Sequence, residues 1–313
     1  MLFKNRLIIG IIFVFLGINI PIFAQSPPNP QLTTIQTAET LGKGGSHTSF
    51  GLFQHTINNI APLQKQDIII GGFQESRAVS LELNTFIVPV RFTYGLSDLL
   101  DLQLGATLAN RGAKKIVHDF YDSNIPELNA KRVYNQPIYD GRIGLKYNLK
   151  PEKNDGFPSI SVGGHVYSGY TADDRLNVDN DFRDDSPIDG FPFVGMNAFG
   201  VGTQRIGKYF RVHAGVGVFL TSKAIDTADL FTLNYQLGGE IAVSDSLWIA
   251  GDFSRELQYA GLNISNILGL ALRYEVSNKL VFQIGLSTQP GIQFGLTLGG
   301  EQAKAMEGNK LLF

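Results

Sequence analysis

A strict alternation of apolar and polar side chains governs most of the chain after residue 45, and no other feature of the sequence restricts its fold as strongly. In residues 100–108 every second side chain is Leu or Ala, whereas Asp, Gln, Gly and Thr occupy the positions between them. This period of two is typical of β-strands with one apolar and one polar face. Twelve such segments are predicted as strands, near residues 46–57, 81–95, 100–108, 138–149, 158–171, 191–204, 209–222, 233–243, 246–257, 264–276, 279–288 and 291–298.

The connections between these strands are alternately short and long. Short connections, several with Ser-Asp or Ser-Asn turns, lie at 95–98, 204–208, 243–245 and 276–278, with a somewhat longer one at 150–157. Longer and more polar connections lie at 58–80, 111–137, 172–190, 223–230 and 258–263, and only the last hairpin, at 289–290, is tight. Strict alternation places the short turns at one end of the sheet, as in transmembrane β-barrels. A secreted β-sandwich or jelly roll, the alternative, does not need this regularity.

The sequence therefore predicts an all-β fold, a single antiparallel up-and-down transmembrane β-barrel of about twelve strands. The count ranges from ten to fourteen, because residues 31–40 and 67–73 could form an additional hairpin. Residues 67–73 could instead fold over the mouth of the barrel. An even number of strands places both termini on the periplasmic side.

The first 24 residues have the three parts of a secretory signal peptide. Lys4 and Arg6 precede an apolar run at 7–20, and Ala24 offers a small residue at the cleavage site. An uncleaved membrane anchor is the alternative, although the run is short for a membrane span. Because the chain has no cysteine, a lipid anchor at the cut is excluded. We expect a signal peptide at 1–24, a mature N-terminal segment at 25–45, the barrel at 46–300 and a C-terminal tail at 301–313.

Aromatic residues gather towards both ends of the predicted strands. Near the short turns lie Phe92, Tyr94, Tyr147, Tyr209, Phe210, Trp248, Tyr274 and Phe282. Near the long connections lie Tyr139, Tyr167, Tyr170, Phe191, Phe193, Phe219, Phe231 and Tyr259. Strands in general are enriched in aromatic residues. Gathering at both ends is typical of the girdles at the two membrane–water interfaces of a barrel.

Charged residues fall on the polar face of the alternation, which a transmembrane barrel turns towards its lumen. A charged side chain that faces lipid at mid-depth costs roughly 2–4 kcal/mol, which favours this inward assignment. The candidate lumen-lining residues are Arg91, Asp101, Asp140, Arg142, Lys146, Arg211, Glu240, Asp252, Arg273 and Glu275. They could line a charge-selective channel, or they could pair with one another and fill a narrow barrel. Twelve strands lie between the eight that fill with side chains and the sixteen that leave a water channel, so both interpretations stay open.

No motif in the sequence indicates catalysis, a cofactor or a metal site. The five histidines lack metal-ligand spacing, and His165 and His213 face inward on strands that are not neighbours. The acidic residues in 173–189 fail the EF-hand pattern because Arg183 occupies a ligand position, so we interpret this loop as solvated. A net charge of −2 gives no basic field for a nucleic acid. We predict a non-enzyme with no cofactor, no metal and no nucleic-acid partner.

Two strand–turn–strand units carry a resemblance to a known family. Residues 92–102 (FTYGLSDLLDL) and 241–247 (IAVSDSL) resemble those of Gram-negative outer-membrane β-barrels, and more narrowly the transporter-like barrels of the MetA-pathway phenol-degradation family. Residues 37–44 (TAETLGKG) are similar to the start of mature barrels of that kind. The resemblance implies transport of hydrophobic or aromatic small molecules. One departure is that fourteen residues follow Gly299, whereas such barrels usually end on an aromatic residue that closes the last strand.

These observations predict a passive outer-membrane channel or transporter gated by loops 111–137 and 172–190. Its partners would be the lipid bilayer of the outer membrane and a small-molecule solute. A non-conducting structural or adhesion barrel with acidic, partner-binding surface loops is the second hypothesis, and a barrel enzyme that acts on lipid is the third. Conductance separates the first two, because a channel keeps its lumen charges solvated whereas a structural barrel pairs them across strands. The sequence leaves the substrate and the oligomeric state open.

Overall fold

The chain forms an all-β structure. The computed structural model describes residues 36–57, 64–70, 73–120, 126–151, 157–172, 190–207, 209–222, 231–244, 246–259, 262–277, 280–288 and 291–298. Within these ranges no helix is long and apolar enough to cross a membrane. The predicted signal peptide and C-terminal tail lie outside the described residues.

Thirteen strands lie within the described residues. The strands are β1 (Ser46–Ile57), β2 (Gln64–Ile70), β3 (Phe73–Gly95), β4 (Leu100–Phe120), β5 (Pro126–Lys150), β6 (Ser159–Ala172), β7 (Gly190–Ile206), β8 (Phe210–Thr221), β9 (Phe231–Ala242), β10 (Leu247–Tyr259), β11 (Leu262–Ser277), β12 (Leu280–Ser287) and β13 (Gly291–Leu298).

Twelve of these strands close into a ring. From β3 to β13 each strand pairs antiparallel with the next, and β1 completes the ring by pairing with β13 on one side and β3 on the other. Ser49 of β1, for example, lies opposite Gly295 and Arg91. The prediction of a twelve-stranded antiparallel barrel is confirmed. The fourteen-strand alternative is wrong, because β2 pairs only with the first residues of β3 and adds no strand to the ring.

Alternate residues of each strand face out of the ring and into it. In β4, Leu108 on the outer face is 62% exposed, whereas Asp101 and Thr107 on the inner face are fully buried. The phase follows from the sequence, since a strand places successive side chains on opposite faces. Exposed apolar side chains of the outer face include Phe50, Val90, Leu104, Ile143, Val162, Met196, Leu220, Leu237, Leu270, Ile284 and Phe294.

The wall of the ring is much taller on one side. β3, β4 and β5 have 23, 21 and 25 residues, whereas β12 and β13 have 8 each. At about 3.3 Å per residue, a strand of the first group reaches about 70 Å or more and one of the second about 26 Å. The prediction of a loop at 111–137 is therefore wrong: 111–120 and 126–137 continue β4 and β5, with Ala113 opposite Tyr134. The alternation persists there, since Arg111 and Lys115 are buried. Of the other predicted gating loop, 173–189 lies outside the described residues.

The aromatic belts differ between the two ends. At the short-turn end, the outer face carries exposed Phe92, Tyr94, Tyr147, Phe210, Tyr274 and Phe282. Trp248, by contrast, is buried and faces inward. At the other end Tyr139 and Phe231 are exposed, but Tyr167, Phe193 and Phe219 form a buried cluster inside the ring. Placing these four residues in girdles was wrong, because their position along the strand was considered without the face to which the alternation assigns them.

Candidate functional site

Residues 36–45, which precede β1, occupy the inside of the ring at its short-turn end, and we call them the plug. Thr37, Ala38, Thr40 and Leu41 are almost completely buried. The plug turns into β1 through Gly42 and Gly44, both with positive φ, a conformation that favours glycine. Gly44 N–H donates to the Gly95 carbonyl at 2.9 Å. The sequence predicted a mature N-terminal segment here but gave no indication that it enters the lumen.

The plug is held mainly through its backbone. The Ala38 carbonyl accepts hydrogen bonds from Asn148 Nδ2, at 3.0 Å, and from Ser161 Oγ. The Ala38 N–H donates to Thr203 Oγ1 at 2.8 Å, and the Leu41 N–H donates to Asp101 Oδ1 at 3.1 Å. These partners lie on four different strands of the wall. Because a buried peptide group without a partner is costly, polar side chains at these inner positions are what allow a peptide strand to sit in the lumen.

Glu39 is the only acidic side chain of the plug, and it lies between two arginines. Its carboxylate oxygens are 3.6 Å from Arg205 Nη2 and 3.5 Å from Arg211 Nη1. Burial alone would raise the pKa of Glu39, but the guanidinium groups of Arg211 and Arg205 hold this pKa below its ordinary value of 4.5. The Arg211 guanidinium also lies over the Trp248 ring, 5.0 Å from its centroid. The plug is thereby coupled to the single tryptophan of the chain.

A row of hydrogen-bonded residues behind the plug contains a threonine, a histidine and a glutamate, the residue types of a hydrolase triad. Thr203 Oγ1 lies 2.8 Å from His213 Nδ1, and His213 Nε2 lies 3.1 Å from Glu240 Oε1. Arg273 donates to the other Glu240 oxygen at 2.7 Å. All four side chains are buried, and the Thr203 hydroxyl is already occupied by the Ala38 N–H. The row therefore ties the plug to the wall and is not a candidate catalytic site.

All ten predicted lumen residues occupy inner-face positions. Eight of them are buried, and Arg142 and Glu275 are half-buried. Lys146 Nζ lies 3.3 Å from Asp101 Oδ2 and also donates to the Thr37 and Glu39 carbonyls. Asp101, Lys146, Arg211, Glu240 and Arg273 therefore meet around the plug. Arg91 and Arg142 instead reach the cavity described next, and Asp140, Asp252 and Glu275 do not line it. Whether the ten residues line a conducting path stays a prediction.

Next to the plug, on its side away from the short turns, the lumen holds a small, partly open cavity, which we call the cup. Gln36, the first described residue of the plug, forms part of its floor. The cup is lined by Gln36, Arg91, Arg142, His165, Tyr167, Asn197, Ala198, Phe199, Gly215, Val216, Gly217, Asn234, Tyr235, Gln236 and Arg255.

Glycines on the inner face explain why the cup exists. Long side chains lie flat across glycines on the neighbouring strand: Arg142 across Gly105, His165 across Gly144, Phe199 across Gly163 and Gln236 across Gly215. A Cβ at Gly163, for example, would lie 2.5 Å from Phe199 Cζ. Each glycine thus lets the opposite side chain lie along the wall, which leaves the centre open. The sequence showed these glycines, but only their register against the long side chains reveals this role.

Two apolar clusters lie inside the ring on the long-hairpin side of the cup. Tyr167, Phe193 and Phe219 form one, with Phe191 packed against it. Phe53, Ile87, Ile138 and Ile267 form the other, with Ala109 packed against it. Sequence reasoning missed both, because it assigned the whole inner face to polar residues. The signal that could have found them is an Ile or Phe in the phase of the buried charges, such as Ile138 two residues before Asp140.

The histidines were the residues on which the sequence prediction of no metal site depended. His165 Nδ1 lies 2.9 Å from Asn197 Oδ1, and the His165 ring stacks on Phe199 with a centroid distance of 5.6 Å. His213 is engaged near the plug, on a strand that does not neighbour that of His165. In the part of the chain that the structure describes, no three His, Cys, Asp or Glu side chains are grouped to hold a metal ion. His165 is thus part of the cup wall.

Comparisons with known proteins give similarity only at the level of three-dimensional structure. No protein-family model matches the sequence, and no curated protein matches it. An outer-membrane channel from Pseudomonas putida F1 is 17% identical, with a TM-score of 0.41 over 83% of this chain and 96% of that one. The Pseudomonas putida toluene transporter TodX is 7% identical, with a TM-score of 0.39 over 88% and 97% of the two chains. The translocator domain of the Neisseria meningitidis autotransporter NalP is 11% identical, with a TM-score of 0.39 over 82% and 88%.

Proposed function

We propose that this chain is an outer-membrane channel or transporter that passes small solutes through the barrel lumen. The single observation that carries the proposal is the cup, a partly open cavity that the ring surrounds and the plug floors. A barrel that serves only as structure has no need to keep such a space, whereas here Gly105 and Gly215 let Arg142 and Gln236 lie along the wall and leave the centre open.

The membrane location is supported by the outer face. Large apolar side chains such as Leu108, Val166 and Val216 are among the most exposed of the structure, and water-soluble proteins rarely expose continuous apolar surfaces of this extent. Within the ring each strand is paired on both sides, which is the condition for crossing lipid with β-structure. We propose the outer membrane, reached by means of a signal peptide at 1–24, with the short turns on the periplasmic side.

The two ends of the cup suggest how passage is controlled. On one side the plug, held by Asp101 and Lys146, blocks the short-turn end of the lumen. On the other, apolar side chains such as Phe53 and Ile267 pack across the lumen, a kind of constriction that excludes water and ions unless it opens. This combination favours solutes with an apolar or aromatic body, while Arg91 and Arg142 supply selectivity for charge. Residues 172–190 stay a proposed gating loop.

Planar-bilayer conductance of the purified, refolded protein tests the proposal. Discrete conductance steps whose ion selectivity shifts towards cations in an Arg142→Glu variant are expected. A matched Glu82→Lys variant, with its charge change in the Lys114 pair on the outer face, leaves the selectivity as it was. A correctly folded, heat-modifiable barrel that never conducts, even with the plug removed, would contradict the proposal.

One observation favours the second candidate, a non-conducting structural or adhesion barrel. The buried pairs Lys146–Asp101 and Arg273–Glu240 cross between strands in the way expected of charges that brace a closed barrel. Under that alternative the plug is permanent and the acidic residues in 173–189 bind a partner. Planar-bilayer recordings that show no conductance step would favour this alternative. Neither candidate assigns a catalytic role, a cofactor or a nucleic acid to the chain.

A further inference from the structure

The plug leans against one half of the ring. Its hydrogen bonds run to five strands of the β4–β9 arc, through Asp101, Asn148, Ser161, Thr203 and Gln236. The sixth strand of this arc, β8, contributes the ion pair of Arg211 with Glu39. The remaining arc of the ring consists of β10 to β13, β1 and β3. The boundary between the plug and that second arc is therefore the place to look for a path past the plug.

Polar side chains without a formal charge line this boundary on β12, β13, β1 and β3. Near the short turns, His47 lies between Thr297 on one side and Thr93 on the other. One step further from the short turns, Gly295 lies between Gln283 and Ser49. We call this group the seam; it consists of the inner-face residues His47, Ser49, Thr93, Gln283, Gln293 and Thr297.

The seam is less completely buried than the face that holds the plug. Gln283, Gln293, Thr93 and Thr297 keep 9, 7, 6 and 5% of their surface exposed, whereas Ser161 and Thr203 keep none. Inside a closed ring, exposed surface on an inward side chain means that a narrow space lies in front of it.

Gly295 shows how narrow that space is. A Cβ built on Gly295 would lie 3.4 Å from His47 Nε2 and 3.5 Å from Gln283 Cβ, which are ordinary contact distances. A methyl group therefore fits at this point of the seam, and a larger side chain would fill it.

Two oxygen atoms of the seam need water. Ser49 Oγ and Gln293 Oε1 are buried and have no hydrogen-bond donor among the described residues. A buried acceptor without a donor is costly, and water is the usual partner of such groups where a polar space admits it. The cost favours small movements of the plug that hydrate the seam, because each admitted water satisfies one of these oxygens.

The seam connects the cup with the short-turn end of the lumen. Arg91, which lines the cup, lies opposite Ser49 on the neighbouring strand. At the other end of the seam, Thr297 is the last residue but one of β13, and Thr93 lies two residues before the end of β3. On the long-hairpin side of the cup, by contrast, Phe53 and its apolar neighbours pack across the lumen.

We propose that the seam is a path by which water and small hydrophilic solutes pass the plug while it stays seated. The inference rests on the proposed function in treating the lumen as the route of the solute. It deepens that function, because the plug then sets a size limit at the short-turn end. Water and small ions exchange between the cup and that end, whereas a solute with an aromatic body requires the plug to move.

Thiol labelling tests the seam, because the chain has no cysteine of its own. Ser49→Cys places a thiol in the seam, and Ser161→Cys places one behind the plug. The refolded mature barrels in detergent are treated with a small cationic methanethiosulfonate, and modification is followed by mass spectrometry. Each rate is divided by the rate in the same variant lacking residues 36–41, so that differences in intrinsic thiol reactivity cancel.

The plug should slow Ser161→Cys roughly tenfold or more and should leave Ser49→Cys nearly unchanged, because the reaction of a thiol depends on its access to the reagent. Equal slowing of the two variants by the plug would overturn the proposal.

A second pair of variants shows from which end the reagent arrives. Thr93→Trp fills the seam near the short turns and should slow the modification of Ser49→Cys roughly tenfold, because it removes the access of the reagent. Tyr94→Trp, the next residue on the exposed outer face, should not slow it. Heat-modifiable migration in gels checks folding, and continued protection of Ser161→Cys shows that the plug stays seated. Equal rates with Thr93→Trp and Tyr94→Trp would mean that the reagent arrives through the cup, which overturns the seam.

Labelling and conductance fail separately. A barrel that conducts but shields Ser49→Cys as strongly as Ser161→Cys removes this inference and leaves the proposed channel intact. A barrel with the expected labelling that never conducts, even without the plug, overturns the channel and keeps the seam.

Discussion

The plug and the cup are neighbouring levels of one lumen, but the first is filled by side chains and the second is left open by glycines. Around the plug, long charged side chains are packed together and paired, as in Arg273–Glu240 and Lys146–Asp101. A few ångströms along the same strands, glycines such as Gly163 and Gly215 let the opposite side chains lie along the wall, which leaves a cavity. One twelve-stranded ring is thus filled at one level and open at the next. Strand number alone sets neither outcome; the inner-face side chains do.

Removal of the plug is the largest test of this contrast. Deletion of residues 36–41 takes away the peptide that fills the short-turn end, so the single-channel conductance in planar bilayers should rise several-fold. Deletion of residues 28–33, of equal length but upstream of the plug, should leave conductance unchanged. Equal conductance with and without the plug would mean that the apolar clusters, and not the plug, limit flow.

Breaking the paired charges at the plug level should cost much more stability than breaking a pair on the outer face. Glu240→Gln leaves Arg273 buried without a counter-charge, and loss of one partner of a buried pair costs about 3–5 kcal/mol. Glu82→Gln disrupts a half-exposed pair with Lys114, and such pairs contribute about 1 kcal/mol or less. Urea unfolding midpoints of the refolded barrels measure both. Similar losses in the two variants would contradict the contrast.

The ion pairs of Glu39 with Arg205 and Arg211 predict that the seating of the plug depends on pH in a defined direction. When the plug is seated, the pKa of Glu39 lies below 4.5. Ionised Glu39 therefore stabilises the seated plug fully above pH 4.5, and this stabilisation is lost as the pH falls through the lower pKa of the seated state. Open probability should therefore be flat from pH 8 to 5 and rise on further acidification, with a parallel change in Trp248 fluorescence as Arg211 is released.

Glu39→Gln isolates this effect. The variant cannot titrate, so its open probability and its Trp248 fluorescence should already be altered at pH 7 and should show no further step below pH 4.5. A step of undiminished size in Glu39→Gln would assign the titration to another group.

The smallest effect is expected at the turn between the plug and β1. Gly44 has φ of +78° and open space at its Cβ, so Gly44→Ala introduces backbone strain without a clash, which costs about 1–2 kcal/mol. Gly141→Ala, also with open space but without a positive φ, serves as the control. If the urea midpoints of the two variants coincide, the strained turn does not contribute to seating the plug.

Periodicity was sufficient to predict the ring but not its contents. The alternation in 100–108 and 291–298 and the sequence of short and long connections gave the strand number, the antiparallel order and the inward phase of the charges. These three features follow from local patterns, namely the alternation of adjacent residues and the lengths of single turns. The extension of β4 through 111–120 and of β5 through 126–137 was missed because their polar residues look like a loop, although the period of two continues through Arg111 and Lys115.

The plug and the cup depend on contacts that no local pattern encodes. Gln36 accepts a hydrogen bond from Gln103, and its backbone is bonded to Gln236, 200 residues away. The role of Gly163, which is to leave room for the Phe199 ring, can be recognised only once the strand register places the two residues opposite each other. Such pairings follow from the closed ring, so they become readable only once the strand register is known.

The position of the plug also has a consequence for how the protein is made. Its partners are spread from Asp101 on β4 to Gln236 on β9, and the strand that follows it, β1, is sealed by β13, where Ser46 meets Leu298. Closing a chain segment of that length is entropically costly, and such long-range pairings form slowly. The part of the mature chain that leaves the ribosome early must therefore wait for the last strand before its surroundings are complete. The ring around the plug is therefore complete only when β13, the last strand in the chain, pairs with β1.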